Sequence, residues 1–119
     1  MADLQQLQQR DPVLGPVLAA WPAKPSDTKE RFMRALVQQY PRLFLKNTIL
    51  HRRQVDQRQG TLEQLVLSSS LRPDVLASLH DDMGRQGYER TMELLRPRVY
   101  WPAIYREARD YISLSLIHI

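Results

Sequence analysis

Apolar residues recur at helical spacing at both ends of this chain, and in the middle they gather into two runs around a polar turn. Residues 3–10 are good helix formers with Leu4 and Leu7 three apart, the spacing of a short amphipathic helix. Asp11-Pro12 is a stop-and-restart signal, because Asp caps a new helix and Pro is tolerated at its first position. Val13, Leu14, Val17, Leu18 and Trp21 then fall at helical spacing, with Gly15 and Pro16 working against the helix. Trp21-Pro22-Ala23-Lys24-Pro25 reads as a linker. Beyond it, Ser26 and Asp27 are candidate caps, and Asp27 with Glu30 has capping-box spacing. Phe32, Leu36 and Val37 make one apolar face of a helix from about 28 to 40, which Pro41 should end.

The centre changes period. The run from Leu43 to Arg53, containing β-branched Thr48 and Ile49, and the run from Leu62 to Leu67 flank the polar turn Asp56 to Gly60, which predicts a β-hairpin. Helical spacing then returns. Pro73 stands near a helix start, with Val75, Leu76 and Leu79 as the apolar face of Ser70 to His80. Gly84 and Gly87 bracket a turn. Tyr88, Met92 and Leu95 stand at i, i+4, i+7, a core stripe, and Pro97 ends that helix. Val99-Tyr100-Trp101-Pro102 leads into a final helix from about 103 to 113, where Ile104, Ala108 and Ile112 share a face. The predicted architecture is mainly α with one small β-hairpin.

Composition narrows the function classes. In 119 residues, 43% hydrophobic and 25% charged, there is room for one small domain. No apolar run approaches the roughly 18 residues of a membrane span, and the Gln-rich start from Met1 to Arg10 is not a secretory signal. With no cysteine, no disulfide forms and no thiolate holds a metal. An intracellular protein, nuclear or cytoplasmic, is expected. The net charge of +4 and pI near 9.8 come mostly from arginine, which pairs bidentately with phosphate. That balance leans toward nucleic acid.

Candidate chemistry is sparse. Ser68-Ser69-Ser70 lacks a paired base and reads as a loop and helix cap. Of the histidines, His51, His80 and His118, none alone makes a zinc site, which needs about four convergent ligands. The frame around His80 is more specific: Leu71-Arg72-Pro73-Asp74-Val75-Leu76, Leu79-His80-Asp81-Asp82-Met83-Gly84, Gln86-Gly87, Arg90-Thr91 and Tyr100-Trp101-Pro102. This frame resembles the zinc-binding (His-His-Cys-Cys) module of gypsy-type LTR retrotransposon integrases, and vertebrate proteins descended from such elements.

The resemblance spans about residues 65–113 and continues weakly upstream into what looks like the stretch between RNase H and integrase in a Pol polyprotein. It divides the chain into an N-terminal helical segment and linker (1–25), a helix plus hairpin extension (26–64), the zinc-module-like segment (65–113) and a non-native tail (114–119). The tail, Leu114 to Ile119, matches the translation of a sequencing-library adaptor end; a genuine apolar tail packed on the hairpin is the alternative. On this reading the chain is a truncated fragment. In the family one zinc clamps the turn after the first helix to the end of the last. His80 matches the first histidine, Arg85 stands where the second is expected, and Ser115 and His118 fall where the cysteines are expected. A guanidinium has no lone pair to donate, so no tight zinc site and no cofactor are expected in this chain. The resemblance also implies a role in contacting DNA ends and in assembly of integrase protomers, with Arg85, Gln86, Arg90, Arg96 and Arg98 as candidate phosphate contacts. It implies no catalysis, since the carboxylate triad of integrases lies in another domain. The expected partners are DNA, bound weakly and salt-sensitively, and a second copy or other integrase protomers; no membrane and no small-molecule substrate are expected. Two alternatives remain: a metal-free helical protein-interaction module, which would leave Trp21 exposed, or a non-functional remnant of a decayed element.

Overall fold

Asp3 starts the first helix by accepting a hydrogen bond from the Gln5 N–H at 3.0 Å, satisfying a donor that a helix N-terminus leaves open. The computed structural model describes residues 3–81 and 87–117, and the side chains of 3–80 and 87–114. Helices α1 (Leu4–Arg10) and α2 (Leu14–Ala20) are separated at Asp11. Its Oδ1 accepts from the Val13 and Leu14 N–H groups at 2.8 and 3.1 Å, so the restart read from Asp11-Pro12 is present. Gly15 joins these helices rather than breaking the second: a Cβ there would stand 2.6 Å from the Gln9 carbonyl oxygen. Helix α3 (Arg31–Val37) is shorter than expected. Its cap is Glu30, whose Oε2 accepts from the Met33 N–H at 2.9 Å, while Asp27 accepts from Lys29 N–H in a preceding turn. Pro41 lies in a 3-10 turn (Tyr40–Arg42) that feeds the first strand.

The expected fold, mainly α with one small hairpin, understates the β-structure. Four strands, β1 (Leu43–Lys46), β2 (Ile49–Asp56), β3 (Gly60–Val66) and β4 (Val99–Tyr100), form one sheet in the order β1-β2-β3-β4. The expected first run, Leu43 to Arg53, is two strands. They reverse at Asn47 and Thr48, both left-handed with φ of 54° and 65°, which is the backbone a tight two-residue hairpin requires. A β-branched Thr is a poor signal for that backbone, so the turn was hidden. The β2–β3 hairpin falls where it was expected. Asp56 Oδ1 accepts from the Arg58 and Gln59 N–H groups, and Gly60 closes the turn at φ 78°. Strand β4 runs parallel to β3, with Leu65 opposite Val99 and Val66 opposite Tyr100. The Leu65 N–H donates to the Arg98 carbonyl and the Leu67 N–H to the Tyr100 carbonyl, both at 2.9 Å. Two residues carry too little periodicity to announce a strand.

After β3 the chain turns through Ser69–Leu71 into α4 (Arg72–Leu76), which continues as a π-helical turn (Ala77–Asp81). Helix α5 (Tyr88–Leu95) precedes β4, and α6 (Ile104–Ile117) follows it. Helix α6 thus runs past residue 113, and Leu114 is exposed. No helix among the described residues is long and apolar enough to cross a membrane.

Alternation along β3 sorts the core into two clusters. Val66 points toward Leu14, Val17, Met33, Leu36, Leu43 and Leu50, the cluster beneath α2 and α3. Leu65 and Leu67 point the other way, toward Leu76, Met92, Leu95, Val99, Trp101, Ile104 and Ala108. Opposite facing of successive side chains is the strand period. Tyr88, Met92 and Leu95 on α5, and Ile104, Ala108 and Ile112 on α6, do face the core as their spacing indicated.

Candidate functional site

His80 lies on the π-helical turn that extends α4 and is fully buried. Its ring meets Tyr111 of α6 edge-on, with centroids 5.8 Å apart and planes at 85°. The first histidine of the expected frame therefore packs between the end of α4 and the last helix. Nearby, Trp101 is wholly buried and donates Nε1–H to Glu107 at 3.1 Å. Arg72 at the start of α4 stacks on that indole at 5.6 Å and reaches Glu107 at 3.9 Å. This trio ties the first helix of the segment to its last.

The candidate phosphate contacts separate in space. Arg85, Gln86 and His118 lie outside the described residues, and Ser115 lies on α6 with its side chain outside them. Arg90 and Arg96 share an open cleft of 700 Å³ between α5 and the β2–β3 turn, together with Arg58. That cleft also carries Asp56, Glu89 and Glu93. Arg90 pairs with Glu93 at 2.9 Å and Arg96 with Asp56 at 3.4 Å, and exposed pairs of this kind contribute only about 0–1 kcal/mol. The cleft is charge-balanced rather than strongly positive. Arg98 lies elsewhere, bonded to the Leu94 carbonyl, beside Asp74 and Val75.

One cationic position escaped the sequence reading. Arg52 on β2 is in phase with Leu50, so it points to the face of the sheet that carries the first core cluster, where it lies over the Tyr100 ring at 4.3 Å. Its Nε donates to Gln39 Oε1 at 3.0 Å and its Nη1 to Gln64 Oε1 at 2.9 Å. Gln64 is held in turn, its Nε2 donating to the Arg96 carbonyl at 2.7 Å. Burial, and then the positive charge of Arg42, draw the Arg52 pKa below its ordinary value, against the pull of Tyr100 and Tyr105. Burial raises that of Tyr100, with Arg52 opposing. The signal that could have found Arg52 is an arginine at an inward strand position, visible only once the register is known.

The residues offered for a partner-docking face at the N-terminus are engaged within the chain. Leu14 and Val17 are buried, and Trp21 packs against the same cluster and against Tyr40, with ring centroids 5.4 Å apart.

Residues 67–115 match the family model of the integrase zinc binding domain. No curated protein and no solved structure matches the chain. The match begins where β3 ends and takes in α4, α5, β4 and most of α6, so the second core cluster is almost entirely its own. The matched module is a non-catalytic one. A zinc of the family type needs histidine and thiolate donors. Within the 119 residues there is no cysteine, and the positions where the resemblance leads one to expect a second histidine and a cysteine hold Arg85 and Ser115. Among the described residues, no three of His, Cys, Asp and Glu gather where a metal could sit. The donor set does not fit that metal.

Proposed function

We propose that this chain is a DNA-contacting and assembly module of integrase type that keeps its fold without zinc. The carrying observation is the match of residues 67–115 to the integrase zinc binding domain. The apolar frame of that segment is supported on Leu65 and on the β3–β4 pairing. A zinc clamp matters most where the core is too small to hold a fold alone. Here the sheet and three preceding helices enlarge the core, which supports a metal-independent fold. We place the module in the Pol polyprotein of a gypsy-type retrotransposon, on the resemblance of its Leu79–Gly84 and Tyr100–Pro102 motifs. Catalysis on this reading belongs to another domain, and Arg85, Gln86, Arg90, Arg96 and Arg98 supply phosphate contacts.

The test is fluorescence anisotropy of labelled duplex DNA with the purified chain, with and without EDTA. Binding is expected to be weak and to fall steeply between 50 and 200 mM salt, roughly tenfold or more, as release of condensed counterions requires. Replacing Arg90, Arg96 and Arg98 together by Gln should lower affinity and flatten the salt dependence, and EDTA should change neither binding nor the unfolding midpoint. No binding at low salt, or binding indifferent to salt, would overturn the DNA reading. A chelator-induced loss of structure would overturn the zinc-free one.

A further inference from the structure

We propose that the small cavity between Arg52, Arg96 and Tyr105 is a binding site for a phosphate group. The cavity measures 60 Å³ and opens where β2, β3 and β4 meet α5 and the start of α6, over an apolar floor of Met92, Val99 and Ile104. The rest of its lining comes from Arg52, Arg96, Gln54, Gln64, Tyr100 and Tyr105. Among the described residues, its lining holds no carboxylate. That is the contrast with the larger cleft on α5, whose arginines face Asp56, Glu89 and Glu93.

Arg52 is the centre of the site. A half-buried guanidinium ordinarily stands beside a carboxylate, because an unpaired charge away from water is costly. The partners of Arg52 are instead neutral: two glutamine oxygens and an aromatic face. These fix the plane of the guanidinium and use two of its five N–H groups, leaving a positioned set of donors and an uncompensated positive charge. Arg42 adds to the local positive charge. Arg96 reaches its own carboxylate at only 3.4 Å, so it can turn toward a stronger anion. Arginines from β2 and the end of α5, with Tyr105 of α6, bring donors from three elements to one small cavity, an arrangement that suits a tetrahedral oxyanion, and guanidinium–phosphate bonds are among the stronger charge-assisted ones. Tyr105, 52% exposed at the mouth, offers a ring on which a nucleobase attached to that phosphate can stack. The phosphate group is common to a nucleic-acid backbone and to free phosphate. The site does not depend on the DNA reading of residues 67–115, although Arg96 takes part in both.

The test uses the full chain and inorganic phosphate, titrated at constant ionic strength against chloride. It is followed by ¹H–¹⁵N NMR of the arginine Nε–H groups and by thermal unfolding. Phosphate stabilises most proteins nonspecifically, so the decisive observations are saturation and its loss in variants. We expect a saturable shift of the Arg52 Nε–H signal and a saturable rise in midpoint, both retained in the remote variant Lys24→Gln. Arg96→Gln, at a side chain 44% exposed, should fold and weaken phosphate binding by about tenfold, the weight of a charge-assisted bond. Arg52→Gln should abolish saturation, and if it fails to fold, the Arg96 variant and the Nε–H titration decide alone. A single-stranded oligonucleotide that displaces phosphate from Arg52 identifies a nucleic-acid backbone as the source. Phosphate binding without such competition identifies free phosphate. An unsaturable response, or the same response in Arg96→Gln, overturns the site and leaves the DNA reading to its own salt-dependence test.

Discussion

The two core clusters share a sheet but are closed in different ways. The first is sealed by side chains that reach main-chain groups. Gln8 is 2% exposed and its amide bridges two strands, Nε2 donating to the Leu50 and Val66 carbonyls and Oε1 accepting from the Leu50 N–H. Asp11 caps α2 and also accepts, through Oδ2, from the Ser69 N–H at 2.7 Å. The second cluster is sealed by the indole of Trp101 with Arg72 and Glu107. Only the second falls within the family match. The segment that matches the family model is bound to a neighbouring layer through β3–β4 pairing and the Asp11–Ser69 bond. Those links are long-range and directional: the Asp11–Ser69 bond ties the start of the matched segment, and β3–β4 pairing its middle, to residues that precede it.

Trp101→Ala should have the largest effect. Truncating a fully buried tryptophan costs about 3–5 kcal/mol, and here it also strips a partner from Glu107. Because the chain has two tryptophans, Trp21 alone then reports on the first cluster. Expected is a large drop in the denaturant midpoint, with Trp21 fluorescence and far-UV circular dichroism moving in one transition, since both clusters share β3. Two separated transitions would show that the clusters are independent units and that the shared strand couples nothing.

A sharper cut is Gln8→Leu, which keeps bulk and removes only the amide. It leaves the Leu50 N–H and two carbonyls without their partner, and unsatisfied buried groups cost about 1–3 kcal/mol each when water cannot reach them. A net loss of about 2–4 kcal/mol is expected, since some relaxation offsets the sum. Amide exchange should locate it: the Leu50 amide should lose protection first, while amides of α5 keep theirs until global unfolding. Unchanged exchange at Leu50 would mean that the bridge contributes nothing.

How much of this was legible in the sequence follows from the range of each interaction. The core stripe Tyr88, Met92, Leu95, the restart at Asp11 and the β2–β3 turn were readable because their signals lie within a few residues of one another. The family frame around His80 was readable as a motif, and the match over 67–115 supports it at the level of the module. Strand β4 was not, because its two residues become a strand only by pairing with Leu65 and Val66, more than thirty positions earlier. The β1–β2 turn was missed because Thr48 adopts a backbone its side chain disfavours. Arg52 was missed for the same reason as β4: a charged residue at an inward phase looks like surface until a register and a third layer are known. Gln8 was read as one of several polar helix formers, and nothing local marks it as the buried one.

The smallest expected effect tests the bond that crosses from one region into the other. In Asp11→Asn the side-chain oxygen can still cap α2, but an NH₂ replaces the oxygen that accepts from the Ser69 N–H, so donor meets donor. A loss of about 1–2 kcal/mol at neutral pH is expected. The pH dependence makes the assignment specific. Burial raises the Asp11 pKa, but hydrogen bonds from the Ser69, Leu14 and Val13 N–H groups outweigh it and hold the carboxyl below its ordinary 3.8. A group with a depressed folded pKa contributes stability that is present above its unfolded value and lost as pH falls through the folded one. The gap between wild type and Asp11→Asn should therefore hold steady from neutral pH down toward 3.8 and narrow below it. Other carboxylates titrate in the same range, but they are common to both proteins and cancel in the difference. Urea unfolding of the two chains at matched pH measures that gap directly. A gap that persists unchanged well below pH 3.8 would mean that the carboxylate charge at Asp11 is irrelevant and that its oxygen serves the Ser69 N–H as a neutral acceptor.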